Sequence, residues 1–179
     1  MRFLPVFLDL RTGPVVLVGN GELARAKLRL LSVTGARVRW YLTHEAESSE
    51  PASITPSGDI EIASRDPLTD SLDGVIAVLC VGAGDVGVAV ATRARAAGIP
   101  VNVMDDLEHS TFIFPAIVDR GDVVVAVGTN GSSPVVARRI REKIEALLPA
   151  RIGDLAGFIG RWRKAVHRRI TQQPLRRRF

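Results

Sequence analysis

The sequence predicts an α/β protein, with a parallel sheet first, a small α+β lobe next and a helical segment last. Three observations carry this reading. Short, continuous apolar runs at 15–18, 75–81 and 100–104 have the character of strands buried on both faces, as in parallel sheets. Segments of helical periodicity alternate with them, which calls for right-handed crossovers. The charge also breaks near Pro149. Residues 151–179 hold nine basic and one acidic residue, against fifteen and eighteen in 1–150.

Taken in order, Gly19 ends the first run, and 22–34 reads as a helix stopped by Gly35, with Leu23, Ala26, Leu30 and Val33 on one side. Residues 36–42 form a second strand broken up by arginines. The stretch 43–58 is rich in Ser, Pro and Glu and reads as loop, and 60–62 as a short strand. A strand over 75–81, a helix over 85–97 and a strand over 100–104 follow. Residues 111–118 are apolar and extended, Asp119-Arg120-Gly121-Asp122 is turn chemistry, and 123–127 is another strand. The loop 128–133 leads to Pro134, which suits the first position of a helix reaching Leu148. A last helix over 151–173 carries Ile152, Leu155, Phe158, Ile159, Trp162 and Val166 at helical spacing, a stripe that needs a cover. The expected division is 1–112, 113–150 and 151–179.

Composition excludes several classes. The chain has 179 residues, 46% of them hydrophobic, which is enough to bury a core. One cysteine, Cys80, lies inside an apolar run, so neither a disulfide framework nor a cysteine-rich metal site is expected. Residues 1–10 carry Arg2 and Asp9 and lack a small-residue cleavage site, so no secretory leader is expected. No uncharged run approaches twenty residues, so no membrane span is expected and cytoplasmic residence follows. The net charge of +5 and the pI near 10.3 belong to the tail. Arginines opposite an apolar stripe form a solvated helix face, and no nucleic-acid reading motif accompanies them. Neither nucleic acid nor membrane is expected as a partner.

Two motifs carry chemistry. Gly19-Asn20-Gly21-Glu22-Leu23-Ala24 follows the first strand and opens the first helix, in the G-x-G-x-x-G/A form of a dinucleotide fingerprint. Gly19 permits the turn, Gly21 admits a pyrophosphate to the backbone, Ala24 allows close helix–strand packing, and the helix N-terminus faces the phosphates. The acidic ribose ligand expected about twenty residues on is not distinct. Thr43 or Glu45 could bond a hydroxyl, so the residues leave NAD against NADP open. The second motif is Val101-Asn102-Val103-Met104-Asp105-Asp106, which sets a carboxylate where a buried strand ends. Ligands of open α/β sheets bind at that edge, and a carboxylate there can accept a proton. The alternative is that Asp105 or Asp106 only opens a turn or caps a helix. His109, four residues on, is a candidate for assisting proton transfer or for touching a metal ion, against an ordinary loop histidine that does neither.

Taken with Leu4-Pro5-Val6-Phe7-Leu8-Asp9-Leu10, Ala26-Lys27-Leu28-Arg29-Leu30-Leu31, Phe112-Ile113-Phe114-Pro115-Ala116-Ile117-Val118-Asp119-Arg120 and Ser133-Pro134-Val135-Val136-Ala137-Arg138, these motifs resemble the siroheme synthase N-terminal family. Its members are precorrin-2 dehydrogenases, some of them also sirohydrochlorin ferrochelatases. The resemblance runs from Leu4 to about Pro149, and Arg176-Arg177-Arg178-Phe179 resembles the end of the family's helical tail.

The resemblance implies a Rossmann-like NAD domain over 1–112, a dimerisation region over 113–150 within a homodimer, and a basic helical segment over 151–179. It implies NAD-dependent oxidation of precorrin-2 to sirohydrochlorin in siroheme (porphyrin) biosynthesis. It leaves open whether a ferrochelatase, a lyase activity, accompanies this oxidoreductase. It assigns the catalytic carboxylate to Asp105 and the cofactor contacts to Gly21, Glu22, Leu23, Thr43 and His44. Gly19, Asn20 and Gly82 complete the expected cofactor set, and no metal ligands are assigned. For the tetrapyrrole the candidates are Asn102, Thr129, Arg120 and Arg138, because an octacarboxylate calls for arginines. Two departures stand out. Where many relatives follow the fourth strand with Ala-Thr-Asp, this chain has Cys80-Val81-Gly82-Ala83-Gly84-Asp85, which loses a hydroxyl and displaces the acid. The Ser-rich loop becomes Gly128-Thr129-Asn130-Gly131-Ser132-Ser133, where Thr129 keeps a hydroxyl. A non-catalytic NAD- or tetrapyrrole-binding protein on the same scaffold is the alternative reading.

Overall fold

A computed structural model describes residues 2–43 and 59–169, with side chains up to residue 163 in the last helix. The chain divides into two compact units, Met1–Ile113 and Phe114–Phe179.

In the first unit, five parallel strands run in the order β3-β2-β1-β4-β5. They are β1 (Pro14–Gly19), β2 (Arg37–Tyr41), β3 (Ile60–Ile62), β4 (Ala77–Val81) and β5 (Val101–Val103). Helix α1 (Gly21–Ser32) joins β1 to β2, and α2 (Gly84–Ala96) joins β4 to β5. The order steps one way from β1 to β2 and the other way from β1 to β4, so the point of reversal lies between β1 and β4. This is a Rossmann-like α/β fold. Apart from Pro14, every residue of β1 and every residue of β4 is buried, as their continuous apolar runs predict. Val16, Val18, Val78, Cys80 and Val101 pack with Val90, Ala91 and Ala94 of α2, leaving Val15 and Leu17 to the other face.

The buried face of α1 is not the one expected. Ala24, Leu28 and Leu31 point inward, while Leu23 and Val33 are exposed. The small Ala24 makes the close contact at the start of the helix, and its partners at i+4 and i+7 then define the inner stripe. Strand bounds also contract: β4 begins at Ala77 rather than 75, and β5 keeps only three residues of the expected five.

In the second unit, β6 (Ala116–Arg120) and β7 (Val123–Val127) form an antiparallel hairpin, followed by α3 (Pro134–Leu147) and α4 (Ile152–Arg169). Asp119 and Arg120, expected in a turn, instead pair with Val124 and Val123. Only Gly121 and Asp122 make the connection, because a two-residue loop suffices to join antiparallel strands. Residues 111–115 lie outside any strand. Ser133 caps α3 by accepting the Val136 N–H, with Pro134 in the first turn as expected. Gly153 and Gly157 of α4 sit against Arg120 and Asp122 of the hairpin, where side chains would collide. The stripe of Leu155, Phe158, Ile159 and Trp162 is half exposed along its length. Residues 170–173 of the expected last helix fall outside the described residues.

Candidate active site

The parallel sheet collects three chain turns at its carboxyl edge. Register sets Gly19 beside Val81 and Cys80 beside Val103, so the segments after β1, β4 and β5 leave the sheet at one level. Two inter-strand spacings, roughly 10 Å, separate the first from the third.

Gly19 and Gly21 do different work in the first turn. A Cβ on Gly19 would lie 1.8 Å from the Val81 carbonyl oxygen, so only glycine lets the two strand ends approach. Gly21 adopts φ +75°, and a Cβ there would meet nothing within 4 Å. Its position opens onto free space at the start of α1. Asn20 is the N-cap of α1 but makes no side-chain cap bond. Its carboxamide instead binds Thr43 past the end of β2, accepting the Thr43 N–H at 3.1 Å and donating to the Thr43 carbonyl. The first N–H groups of α1 therefore stay open to an anion, and the loop fits the pyrophosphate of a dinucleotide. Trp40 Nε1 donates to the Gly19 carbonyl at 2.8 Å, which ties the turn to β2 from beneath.

The other expected contacts fall around this turn. Glu22 is exposed and paired with Arg29, which holds its carboxyl below the usual range. Leu23 is exposed beside it, and Gly82 opens the turn after β4. His44 lies outside the described residues. Ala83, the N-cap of α2, has no side-chain cap bond, in keeping with the hydroxyl missing from this segment. Burial pushes the Cys80 thiol up to about 12, so it is no nucleophile at neutral pH.

Asp105 follows β5 with φ +61°, a left-handed conformation that non-glycine residues adopt at a cost. It is exposed at the sheet edge. The return of the chain holds it there. Thr111 N–H donates to the Val101 carbonyl at 2.8 Å, and Asn102 Nδ2, nearly buried, donates to the Phe112 carbonyl at 3.0 Å. Asn102 thus braces the segment that displays Asp105. The sequence reading missed Lys27 as part of this site. It is half-buried on α1, where burial pulls its ammonium below the usual lysine range and the Asp105 carboxylate pulls it back up. A lysine one position before the inward Leu28 was the available signal.

The tetrapyrrole candidates of the second unit are engaged locally. Arg120 meets Glu145 at 3.4 Å and donates to the Asp119 carbonyl at 3.0 Å. Thr129 donates to the Ser133 carbonyl at 3.0 Å and accepts its N–H at 3.2 Å, closing the loop before α3. Arg138 is exposed on α3. Among the described residues, no group of three or more His, Cys, Asp or Glu could hold a metal ion.

Three family models match successive parts of the chain. A model described as "Putative NAD(P)-binding" covers residues 6–116. One for "Sirohaem biosynthesis protein central" covers 120–147, and one for "Sirohaem synthase dimerisation region" covers 151–179. The chain belongs to the siroheme synthase N-terminal family. Siroheme synthase 1 of Pectobacterium atrosepticum is 41% identical over 180 residues, spanning all of this chain and 37% of that protein. Siroheme synthase of Chromobacterium violaceum is 43% identical, over all of this chain and 38% of its own length. This chain therefore spans well under half of these curated relatives. A solved structure titled "SirC, precorrin-2 dehydrogenase" superposes with a TM-score of 0.68 over 98% of this chain and 86% of that one. At 20% identity, that likeness establishes the shared fold. Among the described residues, no helix is long and apolar enough to cross a membrane.

Proposed function

We propose that this family member is an NAD-dependent precorrin-2 dehydrogenase that forms sirohydrochlorin for siroheme. The observation that carries the reading is Asp105, in a left-handed conformation, on the same sheet edge as the glycine turn, two strand spacings from it. Bound NAD would accept the hydride. The residues of this chain do the rest. Gly19, Asn20 and Gly21 shape the pyrophosphate cradle, Leu23, Thr43 and Gly82 line it, and Asp105 accepts the proton that leaves with the hydride. Lys27 keeps a positive charge beside Asp105 and suits a carboxylate of the substrate. Arg138 is the more available of the two candidate arginines, because Arg120 already serves Glu145. The working unit in this reading is a cytoplasmic homodimer built through the second unit.

The test is anaerobic incubation with precorrin-2 and NAD, followed by the absorbance of sirohydrochlorin. Turnover is expected. NAD binding without turnover would favour the non-catalytic alternative, for which the missing hydroxyl around Ala83 speaks. Adding ferrous iron to the product in the same vessel reads out chelation, where Asp105 would again serve as base.

A further inference from the structure

The turn that displays Asp105 also builds a carboxylate–imidazole pair for which the proposed reaction has so far no use. Asp106 Oδ2 lies 2.6 Å from His109 Nδ1, and both side chains are about one-third exposed. Asp106 Oδ1 accepts the backbone N–H groups of Glu108 at 2.9 Å and His109 at 3.0 Å. These bonds, the His109 backbone contact foremost, hold the Asp106 carboxyl below its usual range. An ionised carboxylate only accepts, so Nδ1 carries the hydrogen and Nε2 of the neutral ring is the basic nitrogen. The frame is firm. Ser110, nearly buried, donates from its hydroxyl to the Asp106 carbonyl at 2.5 Å and accepts the Val103 N–H at 2.9 Å.

The surrounding charges are few. Arg2 donates to the Leu107 carbonyl at 3.5 Å, and Arg95 of α2 donates to the Glu108 carbonyl at 3.2 Å. Both contacts go to backbone. Glu108 lies exposed on the same turn, and Lys27 acts on Asp105 from α1. Among the described residues, it is the Asp106 carboxylate that engages the His109 ring. A carboxylate that fixes a ring tautomer beside a general base is the arrangement that prepares an imidazole to take protons.

We propose that Asp106 and His109 form a proton relay for Asp105. His109 Nε2 takes the proton that Asp105 removes from the substrate and releases it to water, so Asp105 is ionised again for the next turnover. The bookkeeping is that of the dehydrogenation: the hydride goes to NAD, and one proton passes through Asp105 and His109 to solvent. This rests on the dehydrogenase reading, and His109 is a positioning and relay residue that acts through Asp105.

The experiment compares the unmutated chain with His109→Gln and His109→Ala on precorrin-2 and NAD. Glutamine can still donate to Asp106 and support the turn, but it cannot relay a proton. A relay predicts that His109→Gln lowers kcat about tenfold at an unchanged KM and NAD affinity, less than the ~100-fold or more expected when a general base itself is removed. It also predicts that added imidazole restores part of the activity of His109→Ala, and that the acid limb of the kcat profile changes shape. Wild-type kcat and an unchanged profile in His109→Gln would overturn the relay while leaving the dehydrogenase intact. An inactive unmutated chain would remove the dehydrogenase reading and the relay with it. Nitrogen NMR of the unmutated protein tests the pairing without any variant, and a neutral ring protonated on Nε2 would overturn it.

Discussion

The Asn20 carboxamide grips Thr43 on both sides of its backbone. Oδ1 accepts the Thr43 N–H at 3.1 Å, while Nδ2 donates to the Thr43 carbonyl and, at 3.3 Å, to its hydroxyl. The clasp joins the turn after β1 to the end of β2 and keeps α1's first turn free of a side-chain cap. Asn20→Ala should cost about 1–3 kcal/mol of stability, since a neutral hydrogen bond contributes about 0.5–1.5 kcal/mol. NAD affinity should fall with it, because Thr43 loses its anchor. Denaturant unfolding and calorimetric titration check both. Stability and affinity equal to the unmutated protein would mean that the clasp is incidental.

The two fingerprint glycines should fail in different ways. Gly19→Ala drives a methyl group into the Val81 carbonyl, and backbone cannot step aside. The expected loss is about 3 kcal/mol, at the upper end of overpacking costs, with poor soluble yield. In Gly21→Leu the new Cβ meets no neighbour, but the residue keeps a left-handed backbone, which costs about 1–2 kcal/mol. It should fold and lose NAD, because the side chain fills the pyrophosphate space. Circular dichroism separates folding from binding, and a folded Gly21→Leu with normal affinity would reduce the loop to a turn.

How far these features were legible depends on the range of the interaction. The unbroken apolar run of β1 and the Gly-x-Gly behind it are local, so sheet, turn and helix could be read directly. The placement of Asp105 at the sheet edge was legible because it closely follows such a run. The partnership of Asn20 with Thr43 spans 23 residues, and nothing in either neighbourhood announces it. The inner face of α1 was misread because Leu23 and Leu28 are equally apolar, and only packing at Ala24 decides which turns inward. Asp119 and Arg120 look like turn residues, yet the hairpin ladder recruits them because Gly121 and Asp122 already close the loop. Lys27 was concealed as an ordinary helix lysine until the fold brought Asp105 into its field.

Asp105→Asn should preserve the fold and NAD binding and remove most dehydrogenation. The amide is nearly isosteric and tolerates a left-handed backbone as aspartate does, but it is a far weaker base. A loss of about 100-fold or more in kcat is expected for a general base. Lys27→Gln in parallel should raise KM more than it lowers kcat if the ammonium holds a substrate carboxylate. Near-normal kcat in Asp105→Asn would remove Asp105 from the chemistry.

Stability at alkaline pH should report Tyr41. Burial, and then its 2.7 Å hydrogen bond to Asp70, push the phenol up to about 12. The folded state thus holds this proton more tightly than the unfolded chain, whose tyrosine titrates near the ordinary value of about 10. The contribution is complete below about pH 10 and is lost as pH rises through the folded value. Tyr41→Phe should show a shallower fall in unfolding midpoint between pH 10 and about 12 than the unmutated chain. Parallel curves would assign the alkaline loss to other groups.

The apolar stripe on α4 should be covered by a second copy of the chain. Leu155, Phe158, Ile159 and Trp162 recur at helical spacing, each more than half exposed, with Phe158 and Trp162 in edge-on contact at 6.2 Å. On α3, Val135 and Leu147 are 62% and 81% exposed. A continuous apolar strip of this kind is rarely left to water, and covering one such side chain contributes about 1.5–3 kcal/mol. The stripe falls in the segment that matches the dimerisation-region model. Sedimentation equilibrium at micromolar concentration should therefore give about twice the 19.3 kDa chain mass. Phe158→Glu with Trp162→Glu sets two carboxylates in the middle of the strip, where pairing would bury them without partners. That variant should sediment as a monomer while keeping the NAD affinity of the first unit. A clean monomer from the unmutated chain would overturn the dimer, and a dimer that survives both glutamates would move the interface off α4.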